Sequence, residues 1–172
     1  MFIPAQRATS RRPANAAFTL VEIAVVVTII SLIIAIAVPA TKNMILRARA
    51  SAVQNDLRVF AAAFQTYAHE KGDWPAGDGT PGTIPPGMDA YLGATGWQRK
   101  TPIGGNYAWD PNSLQQGVRY RAVITIVSTD NNPVSSDRAQ LLEIDRAIDD
   151  NSLDSGNFLL GFRNYPVYVL EH

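Results

Sequence analysis

The 172-residue chain contains no cysteine. A disulfide framework, a thiolate metal site and a cysteine nucleophile are therefore excluded. Histidine is scarce, with only His69 and His172, and charged residues make up just 17% of the chain. The two signs balance, 15 Lys+Arg against 15 Asp+Glu, so the basic excess of a dedicated nucleic-acid binder is missing. Arg99-Lys100 and Arg119/Arg121, near Trp97 and Tyr120, read as solvated faces, and no nucleic-acid partner is expected. Catalytic patterns are missing as well. His69-Glu70 opens a zinc-protease pattern without its second histidine, and no Gly-x-Ser-x-Gly elbow occurs. Gly77, Gly79 and Gly82 have the dinucleotide-binding spacing, but no strand precedes them and Pro85-Pro86 block the helix that should follow. No residue is singled out as catalytic, and the expectation is a protein that is not an enzyme.

What the chain does have is an uneven start. Residues 1–17 carry Arg7, Arg11 and Arg12 and no acid. From Phe18 to Ala40 the sole ionisable side chain is Glu22, and Ile23–Ala40 is an uncharged run of 18 residues. A helix over Phe18–Ala40 would be about 34 Å long, against a hydrocarbon core of about 30 Å. The segment is expected to span a membrane. The arginines ahead of it place the amino terminus in the cytoplasm and everything after Ala40 on the far side. Composition leaves three uses of this block open: a secretory signal cut after Ala35-Ile36-Ala37, a plain anchor, or a helix in which Glu22 has a task. An acid at a helix centre in the membrane costs about 2.5–3.5 kcal/mol, less near the end, and intramembrane acids are functional candidates by default.

Phe18-Thr19-Leu20-Val21-Glu22, set between a short basic leader and an apolar helix, resembles the processing motif of type IV pilins and type II secretion pseudopilins. The resemblance implies that a prepilin peptidase cuts between Ala17 and Phe18 and methylates the new amino group. The family usually has Gly before the cut, where this chain has Ala17. It also implies that Glu22 neutralises the terminal amine of a neighbouring subunit during assembly. The partners so implied are the membrane, the inner-membrane assembly platform and other pilin-like subunits, in a homo-oligomeric envelope filament. Charge and the helix dipole agree, since cleavage unmasks a cation in an apolar setting and a first-turn carboxylate suits the positive helix end. Pro39, at a position where many members of the family also carry proline, leaves the carbonyl of Ala35 without its helix donor. Either it marks the membrane exit or it provides a flexible point in a packed filament.

The helical pattern runs on past Pro39. Val53, Leu57, Phe60, Phe64 and Tyr67 recur at spacings of 4, 3, 4 and 3, one face of a helix. One long helix is expected over about Phe18–His69, apolar all round at first and amphipathic later. The expected organisation is a leader over 1–17, a transmembrane half-helix over 18–40 and an amphipathic half over 41–71. A Gly/Pro-rich loop over 72–105 and a sheet region with a short helix over 106–172 follow. Asp89–Leu92 suits a helical turn. Strands are expected over Asn106–Asp110, Val118–Ile126, Phe158–Phe162 and Val167–Leu170, with a helix over Arg138–Asp149 capped by Asp137 and Gln140. The fold class is α+β: a long amino-terminal helix packed on a small antiparallel sheet. Trp74-Pro75 and Gly104-Gly105-Asn106-Tyr107 are similar to the major pseudopilin class.

Residues 130–154 hold seven acids, Asp130, Asp137, Glu143, Asp145, Asp149, Asp150 and Asp154, against two bases. Calcium takes six to eight oxygen ligands, so an acidic loop is a possible site, although the spacing fits no EF-hand. Asp149, Asp150 and Asp154 are the candidate calcium ligands. The acids on the expected helix read as solvated.

Overall fold

The computed structural model describes residues 18–172, so the basic leader and Ala17 lie outside the described residues. Two compact units result, one ending at Ala40 and one running from Thr41 to His172. Helix α1, Leu20–Lys71, supplies the described part of the first unit and opens the second. Pro39 sits inside it, and the helix is continuous through that residue. Gly72, with φ +81°, donates its N–H to the Ala68 carbonyl at 2.8 Å, a left-handed end that any side chain would resist.

In the second unit α1 buries Ala50, Val53, Leu57, Phe60, Ala61 and Phe64, the face read from the spacing, with Tyr67 packed against its edge. Their partner is a four-stranded antiparallel sheet in the order β1-β2-β4-β3. The strands are β1 Asn106–Gln115, β2 Val118–Val127, β3 Phe158–Leu160 and β4 Pro166–Glu171. Strands β1 and β2 join through Gln116 and Gly117, both at positive φ (48° and 84°), the backbone a tight two-residue hairpin requires. Tyr107 and Trp109 of β1 meet Phe60, Phe64 and Trp97 in an aromatic centre. Phe64 stacks on Trp109 at 4.0 Å between ring centroids, and Phe60 meets Trp97 edge-on at 5.0 Å. Tyr120, Val123, Leu159, Val167 and Val169 form a second, smaller cluster.

The segment from Gly72 to Gly105 has little regular structure beyond α2, Asp89–Leu92, yet it is pinned down. The indole N–H groups of Trp97 and Trp109 donate to the Thr83 and Pro75 carbonyls, each at 2.8 Å. Gly79 and Gly82 donate to the Trp109 and Tyr107 carbonyls at 3.0 and 2.8 Å, so the segment runs along the outer edge of β1 and satisfies it.

Several boundaries differ from the sequence reading, most by one or two residues. β1 continues five residues past Asp110, through Pro111, because an edge strand has no ladder bond to lose there. β3 stops at Leu160, where a short 3-10 turn, Phe162–Asn164, leads into β4. Helix α3, Arg138–Ile148, is capped by Asp137, whose Oδ1 accepts from Ala139 N at 3.0 Å. Gln140 does not complete the cap: its Nε2 donates to the Leu46 carbonyl on α1 at 3.0 Å, because helix-on-helix packing claims that side chain.

Candidate functional site

Thr19 stands immediately before α1, and Glu22 is in the helix's first turn. Thr19 N and Thr19 Oγ1 both donate to Glu22 Oε2 at 2.8 Å, and Glu22 N donates to Thr19 Oγ1 at 3.2 Å. This reciprocal arrangement is a capping box. It satisfies backbone donors that the first turn leaves open and points the carboxylate back towards Phe18. Oε1 accepts no hydrogen bond among the described residues. The Thr-x-x-Glu spacing was legible in the sequence but was not read as a cap. Phe18 lies just outside the helix and is 80% exposed.

Beyond the box, every residue through Ala40 is exposed, and the best 18-residue window reaches a mean hydropathy of 2.9 with none of it buried. Thr28 and Ser31 return their hydroxyls to the Ala24 and Val27 carbonyls at 2.8 and 2.7 Å, which hides their polarity from an apolar surrounding. A helix apolar on all sides needs lipid or other apolar helices around it.

The second constellation lies at the end of α3. Asp145, Asp149 and Asp150 each present an oxygen within 4.8 Å of the others. Asp149 Oδ2 accepts from the backbone N–H groups of Asn157 and, at 3.2 Å, Phe158. Asp150 Oδ1 and Oδ2 accept from Ser152 N and Ser155 Oγ at 2.9 and 2.8 Å. Asp145 is 0% exposed, and both of its oxygens, together with Asp149 Oδ1, are buried without a hydrogen-bond partner. Burial, reinforced by Asp149 and the charge of Asp150, pushes the Asp145 carboxyl up to about 7. Burial also presses Asp149 upward, but contact with Asp145 and the N–H groups of Asn157, Asp150 and Phe158 outweigh it and hold the group below its ordinary value.

Of the three candidate acids, the structure brings Asp149 and Asp150 together and leaves Asp154 apart. Asp154 is exposed and stands outside the cluster, while Asp145, read as a solvated helix acid, is its buried centre. The signal was present: Asp145 lies four residues after the buried Leu141 and directly follows the buried Ile144, on the inner side of α3.

Residues 12–38 match the family model described as the prokaryotic N-terminal methylation motif. No curated protein sequence matches the chain. Among solved structures, the major Type IV pilin PilA1 from Clostridium difficile is similar, with a TM-score of 0.53 and 21% identity. The match covers 74% of this chain and 98% of that one, and at this identity it speaks for the fold.

Proposed function

From a chain that is type IV pilin-like in its methylation motif and in its fold, we propose a structural subunit of a pilus-like envelope filament. The subunit enters the cytoplasmic membrane with its amino terminus inside and its sheet unit outside. Prepilin peptidase cuts between Ala17 and Phe18 and methylates Phe18. The assembly platform then moves the subunit into a filament whose core is the apolar half of α1. The observation that carries this reading is a helix mouth of Phe18, Thr19 and Glu22 leading into a helix exposed and apolar on every side. Such a surface is satisfied equally by lipid and by the same segment of neighbouring subunits, so transfer between the two costs little apolar burial. The work of the molecule is mechanical, and its first setting is type II secretion, where the filament drives protein export. A type IV pilus, serving adhesion, motility or DNA uptake, is the second setting, favoured by the structural likeness to a type IV pilin.

Amino-terminal mass spectrometry combined with electron microscopy of sheared cell-surface material tests the proposal. A methylated Phe18 terminus and filaments containing the chain are expected. A terminus just after Ala37 means export of a secreted domain, and a terminus near Met1 means a tether; either result overturns the filament reading.

A further inference from the structure

We propose that the sheet face turned away from α1 carries a binding cleft for a neutral sugar ring, with Asp110 and Arg163 hydrogen-bonding the ligand and Phe162 stacking on it. Tyr107, Trp109, Ile124 and Ile126 pack in the core with α1, so the residues that alternate with them, Asp110 and Thr125 among them, belong to the opposite face. There the loop carrying Asp78 and the turn holding Phe162, Arg163 and Tyr165 wall in a cleft of about 250 Å³. The first wall is fixed by Gly79, whose N–H donates to the Trp109 carbonyl at 3.0 Å. The second is fixed by a chain of side chains. Phe162 N donates to Gln115 Oε1 and Gln115 Nε2 donates to Ser113 Oγ, both at 2.7 Å, and Ser113 Oγ donates to Asp110 Oδ2. Ser113 and Gln115 are buried, so an exposed ring and a half-buried acid are held in a set relation by polar groups shielded from water.

The remaining polar atoms decide the ligand. Asp110 Oδ1 accepts no hydrogen bond among the described residues, and Arg163 makes no ion pair among them although Asp78 and Asp110 line the same cleft. Acceptors and donors therefore stand side by side without neutralising one another. An anion would meet two carboxylates and a cation would meet the guanidinium, whereas the hydroxyls of a sugar donate to the first and accept from the second. Thr125, 8% exposed in the floor, adds an Oγ1 that is buried without a partner among the described residues, a polar group that the packing leaves unanswered. Phe162 is 67% exposed, and the Arg163 guanidinium lies over its ring at 5.3 Å from the centroid. The opposite ring face is left for the C–H face of a sugar. Arg163 and Asn164 both hold left-handed backbone, with φ of 58° and 59°, a strain that gathers at ligand clamps. The room is less than the about 300–1,000 Å³ of pockets for drug-sized ligands, which suits a single ring.

The test uses the full chain in a detergent without a sugar headgroup. Saturation-transfer NMR against glucose, galactose, mannose and N-acetylglucosamine reads contact, and titration of the responding sugar gives its Kd. At least one of the four is expected to bind with a Kd of about 1 mM, as suits one ring in an open cleft. Phe162→Ala, at an exposed position that leaves the unfolding midpoint in place, and Asp110→Asn each weaken binding by about tenfold or more. Leu114→Ala removes another exposed apolar side chain, one outside the cleft, and leaves binding unchanged. Absence of transfer to all four sugars at about 10 mM overturns the proposal. So does binding that survives both Phe162→Ala and Asp110→Asn, or that falls equally in Leu114→Ala. Transfer to free phenylalanine, a zwitterion with one aromatic ring, together with none to any sugar overturns the choice of ligand. None of these outcomes depends on filament assembly.

Discussion

Glu22→Gln separates the two tasks that fall on one side chain. Before assembly, Glu22 Oε2 accepts from Thr19 N and Thr19 Oγ1, both at 2.8 Å. Glutamine keeps an amide oxygen at that place, so both bonds persist. What the cap loses is negative charge at the positive helix end, about 0.3–1 kcal/mol. Assembly loses more. On the proposed reading, the Phe18 ammonium of a neighbouring subunit meets this carboxylate inside the apolar filament core. A hydrogen bond to a charged partner contributes about 1.5–3 kcal/mol, and stranding one buried ion by removing its partner costs about 3–5 kcal/mol. At about 1.4 kcal/mol per tenfold, the loss corresponds to two or more decades of subunit affinity. Membrane insertion and cleavage at Phe18 are therefore expected to continue in the variant while filament yield collapses. Thr19→Gly is the converse variant: it keeps the charge, removes both hydroxyl bonds, and weakens the cap by only a few tenths of a kcal/mol. It is expected to retain most of the filaments. The assay is immunoblotting of sheared filaments beside mass spectrometry of the amino terminus from the membrane fraction. Filaments in parental amount from a correctly cleaved Gln variant would refute the charge-pairing account.

Three further outcomes follow from the second unit. Phe64→Ala removes a ring that is 0% exposed and stacked on Trp109, and should cost about 3–5 kcal/mol, read from the urea midpoint of tryptophan fluorescence. Gly105→Ala places a Cβ 2.7 Å from the Val127 carbonyl oxygen at φ +75°, whereas Gly117→Ala, at φ +84°, meets nothing within 4 Å. Both carry left-handed strain of about 1–3 kcal/mol, but only the first adds a clash, so equal losses of melting temperature would contradict the packing. Asp145 gives a pH dependence. Its folded value is raised to about 7 from 3.8, so the stability it contributes is full below 3.8 and is lost as pH rises to about 7. Asp149, lowered, acts in the opposite sense, and its contribution is lost as pH falls through its folded value. Asp145→Asn should flatten the decline of melting temperature between pH 3.8 and about 7. Parallel curves for the variant and the parent would contradict it.

The long helix was legible because its pattern is local. Spacings of three and four across Val53–Phe64, a glycine stop at Gly72 and an uncharged run before Pro39 need no knowledge of what packs on them. The hairpin strands were legible for the same reason, through alternation over Val118–Ile126. What escaped depended on position in the assembled sheet. Pro111 reads as a stop in isolation, yet β1 is an edge strand, and only the strand order reveals that proline is tolerated there. Gln140 reads as a cap residue, yet α3 lies against α1 and the Leu46 carbonyl takes its amide. In each case tertiary packing overrode a rule that holds for isolated segments.

The acids show the same division more sharply. Glu22 stood out because nothing ionisable surrounds it in the sequence, whereas Asp145 was lost among seven acids over residues 130–154. The structure gives them one feature in common, although Glu22 is exposed and Asp145 is buried. Each is a carboxylate at a helix end that no base of the described residues reaches, one with Oε1 open and one with both oxygens open. Electrostatics differs between the two ends: the first turn of α1 favours an acid, and the last turn of α3 opposes one. Glu22 is therefore stable while it waits for an amine, held by its own cap. Asp145, buried and raised above its ordinary value, is destabilising while it is charged, and a proton at low pH relieves it. The Glu22→Gln filament assay and the pH dependence of Asp145→Asn probe those two conditions independently.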